Sequence, residues 1–227
     1  MDLKINFAKP IGPYNMLWNK CVSTYCHVEI SIEIERDLFA VMIDSNVSAA
    51  HNPSILESLL KRVKGSTLKK LHCCFYIMWG DIVSVRFLNE LNDDALMRPP
   101  EEPIYDMITI PLTVEQMQSI IGYNLRQLGK SYDIPRALLL LSHFTLRTDP
   151  NEVPSQFFCS QLVMHAIKHA DLFDTSTLKD INHMTPLDVY EWMIKQRPES
   201  IKQKSEGNKD GSGAKTDDCN GNSCERL

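Results

Sequence analysis

Phe157-Phe158-Cys159-Ser160-Gln161-Leu162-Val163 sets a cysteine where an aromatic pair gives way to helical spacing. Pro154 and Ser155 break the chain just before it, and Leu162, Val163, Ala166, Ile167 and Ala170 then recur on one helical face. The spacing predicts a helix over 159–170 with Cys159 in its first turn. Unpaired backbone N–H groups there carry partial positive charge, which favours thiolate over thiol. Without a base beside it, the same cysteine reads as a buried structural thiol, since free cysteine is among the most buried residue types. What stands near Cys159 in space therefore decides both fold and chemistry.

His27 is the leading base. Cys26, Val28, Ile30, Ile32 and Ile34 alternate with Tyr25, His27, Glu29, Ser31 and Glu33, which predicts a half-buried strand over Tyr25 to Ile34. Phe39, Val41 and Ile43 alternate with Ala40, Met42 and Asp44, which suggests a second strand after a turn at Glu35-Arg36-Asp37. Matching the apolar faces of such a hairpin sets Val28, Ile30 and Ile32 across from Ile43, Val41 and Phe39. Asp44 then falls opposite His27, with Cβ atoms about 4.5–5.5 Å apart. A carboxylate there accepts from one imidazole nitrogen and leaves the other to act as base. Glu29, two residues along the histidine strand, is the alternative orienter.

Outward from these two stretches, Asn52-Pro53 opens a helix that runs to about Val63 and stops at Gly65. Cys73 to Trp79, Ile82 to Phe87 and Ile104 to Ile110 read as strands, with Gly80-Asp81 turning the chain between the first two. Thr113-x-x-Gln116 is a capping box before Val114, Met117, Ile121, Leu125 and Leu128, and Gly129 ends that helix. Thr185-Pro186-x-Asp188 announces a last helix to about Lys195. Strands in the middle and helices mostly after them imply an α+β class around an antiparallel sheet.

The 227 residues suffice for one sizeable domain. Residues 1–195 read as that domain. Residues 196–227, almost free of large apolar side chains after Ile201, read as a disordered polar tail, because too little surface is available to offset ordering entropy. Apolar content of 43% with 23% charged residues is a globular balance, and a net charge of −5 offers no electrostatic basis for a nucleic-acid partner. No apolar run is long enough to span a bilayer, and Met1-Asp2-Leu3-Lys4-Ile5-Asn6 lacks a secretory pattern. With seven cysteines, an odd count, a reduced cytoplasmic setting is expected.

No metal or cofactor is expected. His165 and His169 share a helix face but lack the glutamate of a zinc-protease motif. Cys73 and Cys74 must point to opposite faces of a strand, so His72-Cys73-Cys74 with Cys21 and Cys26 makes a poor zinc set. Cys219 and Cys224 in the tail are too few for a closed site. Lys61-Arg62-Val63-Lys64, continued by Lys69-Lys70, reads first as a solvated helix end and second as a peripheral contact for anionic headgroups.

With histidine early and cysteine late, the chain resembles the circularly permuted NlpC-type papain-like hydrolases, found in bacteria and large DNA viruses and distantly akin to lecithin:retinol acyltransferase. Tyr25-Cys26-His27-Val28-Glu29-Ile30 resembles the family's histidine strand, although that strand usually carries Ser before the His and Gly two after it. Ala40-Val41-Met42-Ile43-Asp44-Ser45 is similar to the following strand, which often bears an acidic residue. Leu128-Gly129-Lys130-Ser131-Tyr132-Asp133 resembles the Leu-Gly-Lys-x-Tyr-Asp segment, and Phe158-Cys159-Ser160-Gln161-Leu162-Val163 the aromatic-Cys-Ser-x-Leu-Val signature. Thr185-Pro186-Leu187-Asp188 is a weaker fifth match.

The resemblance implies a permuted papain-like fold, an antiparallel sheet or partial barrel packed on the cysteine helix. It also implies a cysteine hydrolase of amide or ester bonds. Cys159 would be the nucleophile, His27 the general base, Asp44 the residue that orients it and Tyr132 a supporting group. A peptide or an acyl-lipid would be the substrate, in a host-cell cytoplasm or a virion. A thiol acyltransferase or lipid-handling protein shares the same first steps, and a non-catalytic structural or binding module would keep only the fold.

Overall fold

The computed structural model describes residues 1–9, 24–88, 105–141, 154–175, 178 and 180–196; the tail from 197, Ile104, Cys21, Cys219 and Cys224 lie outside these. The chain divides into Met1–Glu191, which holds the sheet and the site, and Trp192–Leu227, described only over the end of the last helix.

The architecture is α+β. Five strands form one open antiparallel sheet: β1 (Asp2–Ala8), β2 (His27–Glu35), β3 (Lys70–Tyr76), β4 (Ser84–Phe87) and β5 (Tyr105–Pro111), in the order β4-β3-β2-β1-β5. Among the described residues six helices accompany it: α1 (Arg36–Asn46), α2 (Pro53–Gly65), α3 (Val114–Gln127), α4 (Ile134–Leu141), α5 (Cys159–His169) and α6 (Pro186–Gln196). The central strand, β2, carries His27. Its registers put Ile30 beside Ile5 of β1 and Phe75 of β3, and Ile32 beside Leu3 and Cys73. These side chains are almost fully buried, as are Phe39 and Ile43 of α1, Leu56 of α2, Ile120 of α3 and Leu162 of α5. The rings of Phe39 and Phe87 meet edge to face at 6.2 Å, fastening α1 to β4.

The hairpin expected between Tyr25–Ile34 and Phe39–Asp44 does not form. Residues 36–46 are helical, and β2 pairs instead with β1 and β3. Two periodicities compete in this stretch. The alternation Phe39, Val41, Ile43 suggests a strand, but the buried set is Phe39, Met42 and Ile43, the i, i+3, i+4 spacing of a helix, and Val41 is 65% exposed. The polar Glu35-Arg36-Asp37 starts that helix rather than turning a hairpin. Two further elements escaped the expectation. β1 was legible, since Leu3, Ile5 and Phe7 alternate with Lys4 and Asn6; α4 begins right after the Tyr132-Asp133 segment.

Capping chemistry matches where it was expected. Asn52 Oδ1 accepts from Ile55 N at the start of α2, and the Thr113–Gln116 box closes in both directions. Gly129 follows α3 at φ +88°, and a Cβ there would meet Ile55 Cδ1 at 2.9 Å and Asn52 Cβ at 3.0 Å. A Gly129→Ala change combines a left-handed backbone with that crowding, so it is expected to destabilise the protein by about 1–3 kcal/mol in chemical denaturation.

Candidate active site

The cysteine is set by contacts on both sides of its helix. Before it, Phe157 bridges in parallel to Tyr132: Phe157 N donates to Ser131 O at 3.1 Å and Asp133 N donates to Phe157 O at 2.9 Å. Lys130 Nζ holds Pro154 O at 2.8 Å. The Gly129–Asp133 segment is thus stitched to the residues leading into α5, which is why Tyr132 reaches the site. After it, Ser160 Oγ donates to Met184 O at 2.6 Å, and Gln161 Nε2 and His165 Nε2 meet Asn182 Oδ1 at 2.9 and 2.8 Å. All of these side chains are buried. Phe158 stands at the N-cap without a side-chain hydrogen bond, so no side chain occupies the first-turn N–H groups from there.

Cys159, buried at the head of α5, is hydrogen-bonded to the imidazole of His27, and the N–H groups of Val28 and Ser160 also point at its sulfur. Residues 132 positions apart in sequence therefore meet. Burial alone would push this thiol up; the hydrogen bond and positive charge of His27, joined by the two N–H groups, outweigh it and hold Cys159 below its ordinary value. For His27, burial pulls downward, but the sulfur of Cys159 and then the carboxylate of Glu29 raise it to about 9. The two shifts run in opposite directions on touching partners, the direction that favours a thiolate–imidazolium pair.

The carboxylate beside His27 is Glu29. Its Oε2 lies 3.5 Å from His27 Nε2, an ion-pair distance outside hydrogen-bond geometry. Only 3% exposed, Glu29 is itself clamped by Arg86, whose Nη2 is 2.8 Å from both carboxylate oxygens. Asn6 Nδ2 approaches Oε1 at 3.5 Å. Burial tends to raise the Glu29 carboxyl; His27 and Arg86, with the Cys74 thiol, overcome it and keep the group ionised. Cys74 itself is pushed up, first by burial and then by the Glu29 charge, and stays a thiol.

Asp44 does not orient His27. It lies exposed on α1, because the segment that would have carried it across from His27 as a strand is helical. The carboxylate comes from His27's own strand, two residues on, where a side chain returns to the same face. Arg86 was missed because its place depends on register. Ser31, Cys74 and Arg86 line up across β2, β3 and β4, so Arg86 spans the middle strand to reach Glu29. Nothing local in Ser84-Val85-Arg86-Phe87 reveals that alignment. The two carboxylates make a discriminating pair of variants. If the pair is catalytic, Glu29→Gln is expected to lower turnover about 10²–10⁴-fold, as loss of a histidine-orienting carboxylate does elsewhere, whereas Asp44→Asn leaves it unchanged; steady-state kinetics on the two separates them.

The pair opens onto a cleft of about 320 Å³ lined by Cys26, His27, Ile77, Met78, Trp79, Tyr132 and Cys159. The rings of Trp79 and Tyr132 lie 5.4 Å apart, and Trp79 and Met78 are each 49% exposed at its rim. Burial, then the neighbouring Cys159 and Asp133 charges, push the Tyr132 hydroxyl up, so it remains a neutral donor. Among the described residues no group of His, Cys, Asp and Glu has the arrangement of a metal site, and no helix is long and apolar enough to cross a membrane. His165 is tied to Asn182 and His169 to Arg126, which accounts for both without a ligand. The chain matches no protein-family description, no curated protein and no solved structure.

Proposed function

We propose that this protein is a cysteine-dependent hydrolase of amide or ester bonds with a permuted papain-like arrangement, working through a thioester on Cys159. The observation that carries the reading is the buried Cys159–His27 pair at a helix N-terminus, open to a cleft and backed by Glu29. Each part has a step to perform. The Cys159 thiolate attacks the acyl carbon, and the carbonyl oxygen gains the charge of the broken π bond. The N–H groups at the first turn of α5, Cys159's own among them, are the donors placed for that oxygen. Collapse of the adduct expels an amine or alcohol, which takes the proton from the His27 imidazolium. Water then gives a proton to His27, adds to the thioester, and Cys159 leaves as thiolate. In both half-reactions Glu29 holds the ring and stabilises it when it is charged, and Arg86 keeps Glu29 ionised.

The cleft walls refine the substrate. Among the described residues, Ile77, Met78, Trp79 and Tyr132 provide apolar and aromatic surface, with no charge in the lining beyond the reacting pair. The acyl portion that suits them is uncharged. That same observation supports thiol acyl transfer as the second reading, in which another nucleophile replaces water.

A pH profile follows from the pair. Turnover is expected to rise as Cys159 loses its proton at its lowered value and to fall as pH passes about 9, where His27 gives up the proton that the leaving group needs. The direct test is covalent capture. A panel of electrophilic acyl and peptidyl probes, followed by peptide mass spectrometry, is expected to label Cys159 and to lose that label in His27→Ala. Labelling of Cys159 no faster than of Cys219 and Cys224 overturns the reading.

A further inference from the structure

The cleft contains a second thiol that the proposed hydrolysis does not use. Cys26 lies half-buried immediately before His27 and lines the same 320 Å³ space as Cys159. The backbone there is held, because Cys26 N donates to Ala8 O at 3.0 Å, although Ala8 is already the register partner of His27. Cys26 precedes β2 by one residue, and its thiol and that of Cys159 line one cleft and interact electrostatically. Among the described residues, Cys26 Sγ makes a long 3.6 Å contact to Ala8 O. The other described cysteines do not share the cleft: Cys73 and Cys74 are fully buried within β3.

We propose that Cys26 is a resolving thiol, which captures oxidised Cys159 as a reversible Cys26–Cys159 disulfide and so shields the nucleophile from further oxidation. The inference rests on Cys159 being a thiolate, and not on which acyl group the site handles. With hydrogen peroxide as the oxidant, the Cys159 sulfur attacks one peroxide oxygen, the O–O bond breaks, and sulfenic acid and hydroxide form. The His27 imidazolium neutralises the hydroxide as water. Cys26 sulfur then attacks the Cys159 sulfur, the S–O bond breaks, and the departing oxygen takes the Cys26 proton as a second water. Two sulfurs are oxidised by one equivalent each and one peroxide is reduced. A dithiol reductant reverses the bond by exchange.

Burial and the Cys159 charge both push the Cys26 thiol up, so it remains protonated while Cys159 reacts, which divides the roles. A cysteine one residue ahead of the base suits this: it lines the nucleophile's cleft yet makes no hydrogen bond to the imidazole among those described.

The test uses the full chain treated with stoichiometric peroxide and then digested with trypsin. The expected product is a linked peptide pair, two hydrogens lighter than its parts, joining the peptide that contains Cys26 to the one that contains Cys159, and cleaved by dithiothreitol. Cys21 lies in the same tryptic peptide as Cys26, so the assignment uses two variants: the link persists in Cys21→Ser and vanishes in Cys26→Ser, where Cys159 advances to sulfinic acid and no longer recovers with dithiothreitol. A link that survives Cys26→Ser, or Cys159 going to sulfinic acid in the wild type with Cys26 still reduced, overturns the proposal. Iodoacetamide labelling of reduced protein at neutral pH separates the two layers. Rapid labelling of Cys159 with no disulfide refutes the resolving role alone; slow labelling with no disulfide refutes the thiolate reading with it.

Discussion

A Cys159→Ala variant is expected to lose acyl turnover by about 10⁴–10⁶-fold, the scale on which removal of a nucleophile collapses a cooperating catalytic set. The loss is large because no other described thiol can substitute. Cys26 is raised where Cys159 is lowered, and Cys73 and Cys74 are fully buried within β3. The fold should remain, since removing one sulfur from a helix terminus leaves the Ser160–Met184 and Gln161–Asn182 contacts intact. Turnover of an ester or amide that labels wild-type Cys159 measures the effect, and circular dichroism checks the fold. Unchanged turnover in a folded Cys159→Ala protein would leave a non-catalytic binding module as the better description.

An Arg86→Met variant is expected to have the largest effect on stability. It leaves the Glu29 carboxylate, only 3% exposed, without its best partner. Breaking a buried ion pair from one side costs about 3–5 kcal/mol, and the lower end applies because the Arg86 side chain is 34% exposed and His27 still faces Glu29. The shift is measured as the free energy of urea unfolding. The sign of the accompanying change is also fixed. Without Arg86 the Glu29 carboxyl moves up towards the ordinary range, so the loss is greatest at neutral pH and shrinks in acid, where Glu29 is protonated. A double variant, Arg86→Met with Glu29→Gln, recovers part of the lost stability, because no unpaired buried charge remains.

How far the sequence reveals this site depends on the reach of each signal. Cys159 and His27 are legible because each sits in a local pattern, one at the change from aromatic pair to helical spacing and the other inside a strict alternation. Glu29 is half legible. Its place on the histidine's face follows from the period of two, but a choice between it and Asp44 needs the fate of residues 36–46, where strand and helix periods overlap until burial selects Phe39, Met42 and Ile43. Arg86 is not legible, since its contact with Glu29 depends on two successive strand registers. β1 shows the opposite case: Leu3, Ile5 and Phe7 alternate plainly, yet that the strand sits between β2 and β5 is a matter of long-range pairing. Local patterns thus name Cys159 and His27, while the partners that charge and hold them are fixed by the pairing of the sheet.

The central claim is that sulfur and imidazole share their proton as an ion pair, and nitrogen NMR of the His27 ring tests it most directly. Ring ¹⁵N shifts of wild-type protein, recorded between the ordinary 6.5 and about 9, are predicted to show both nitrogens protonated, with the imidazolium lost in Cys159→Ala. A His27 ring that is neutral through that interval, titrates at the ordinary value and does not respond to Cys159→Ala would contradict the account.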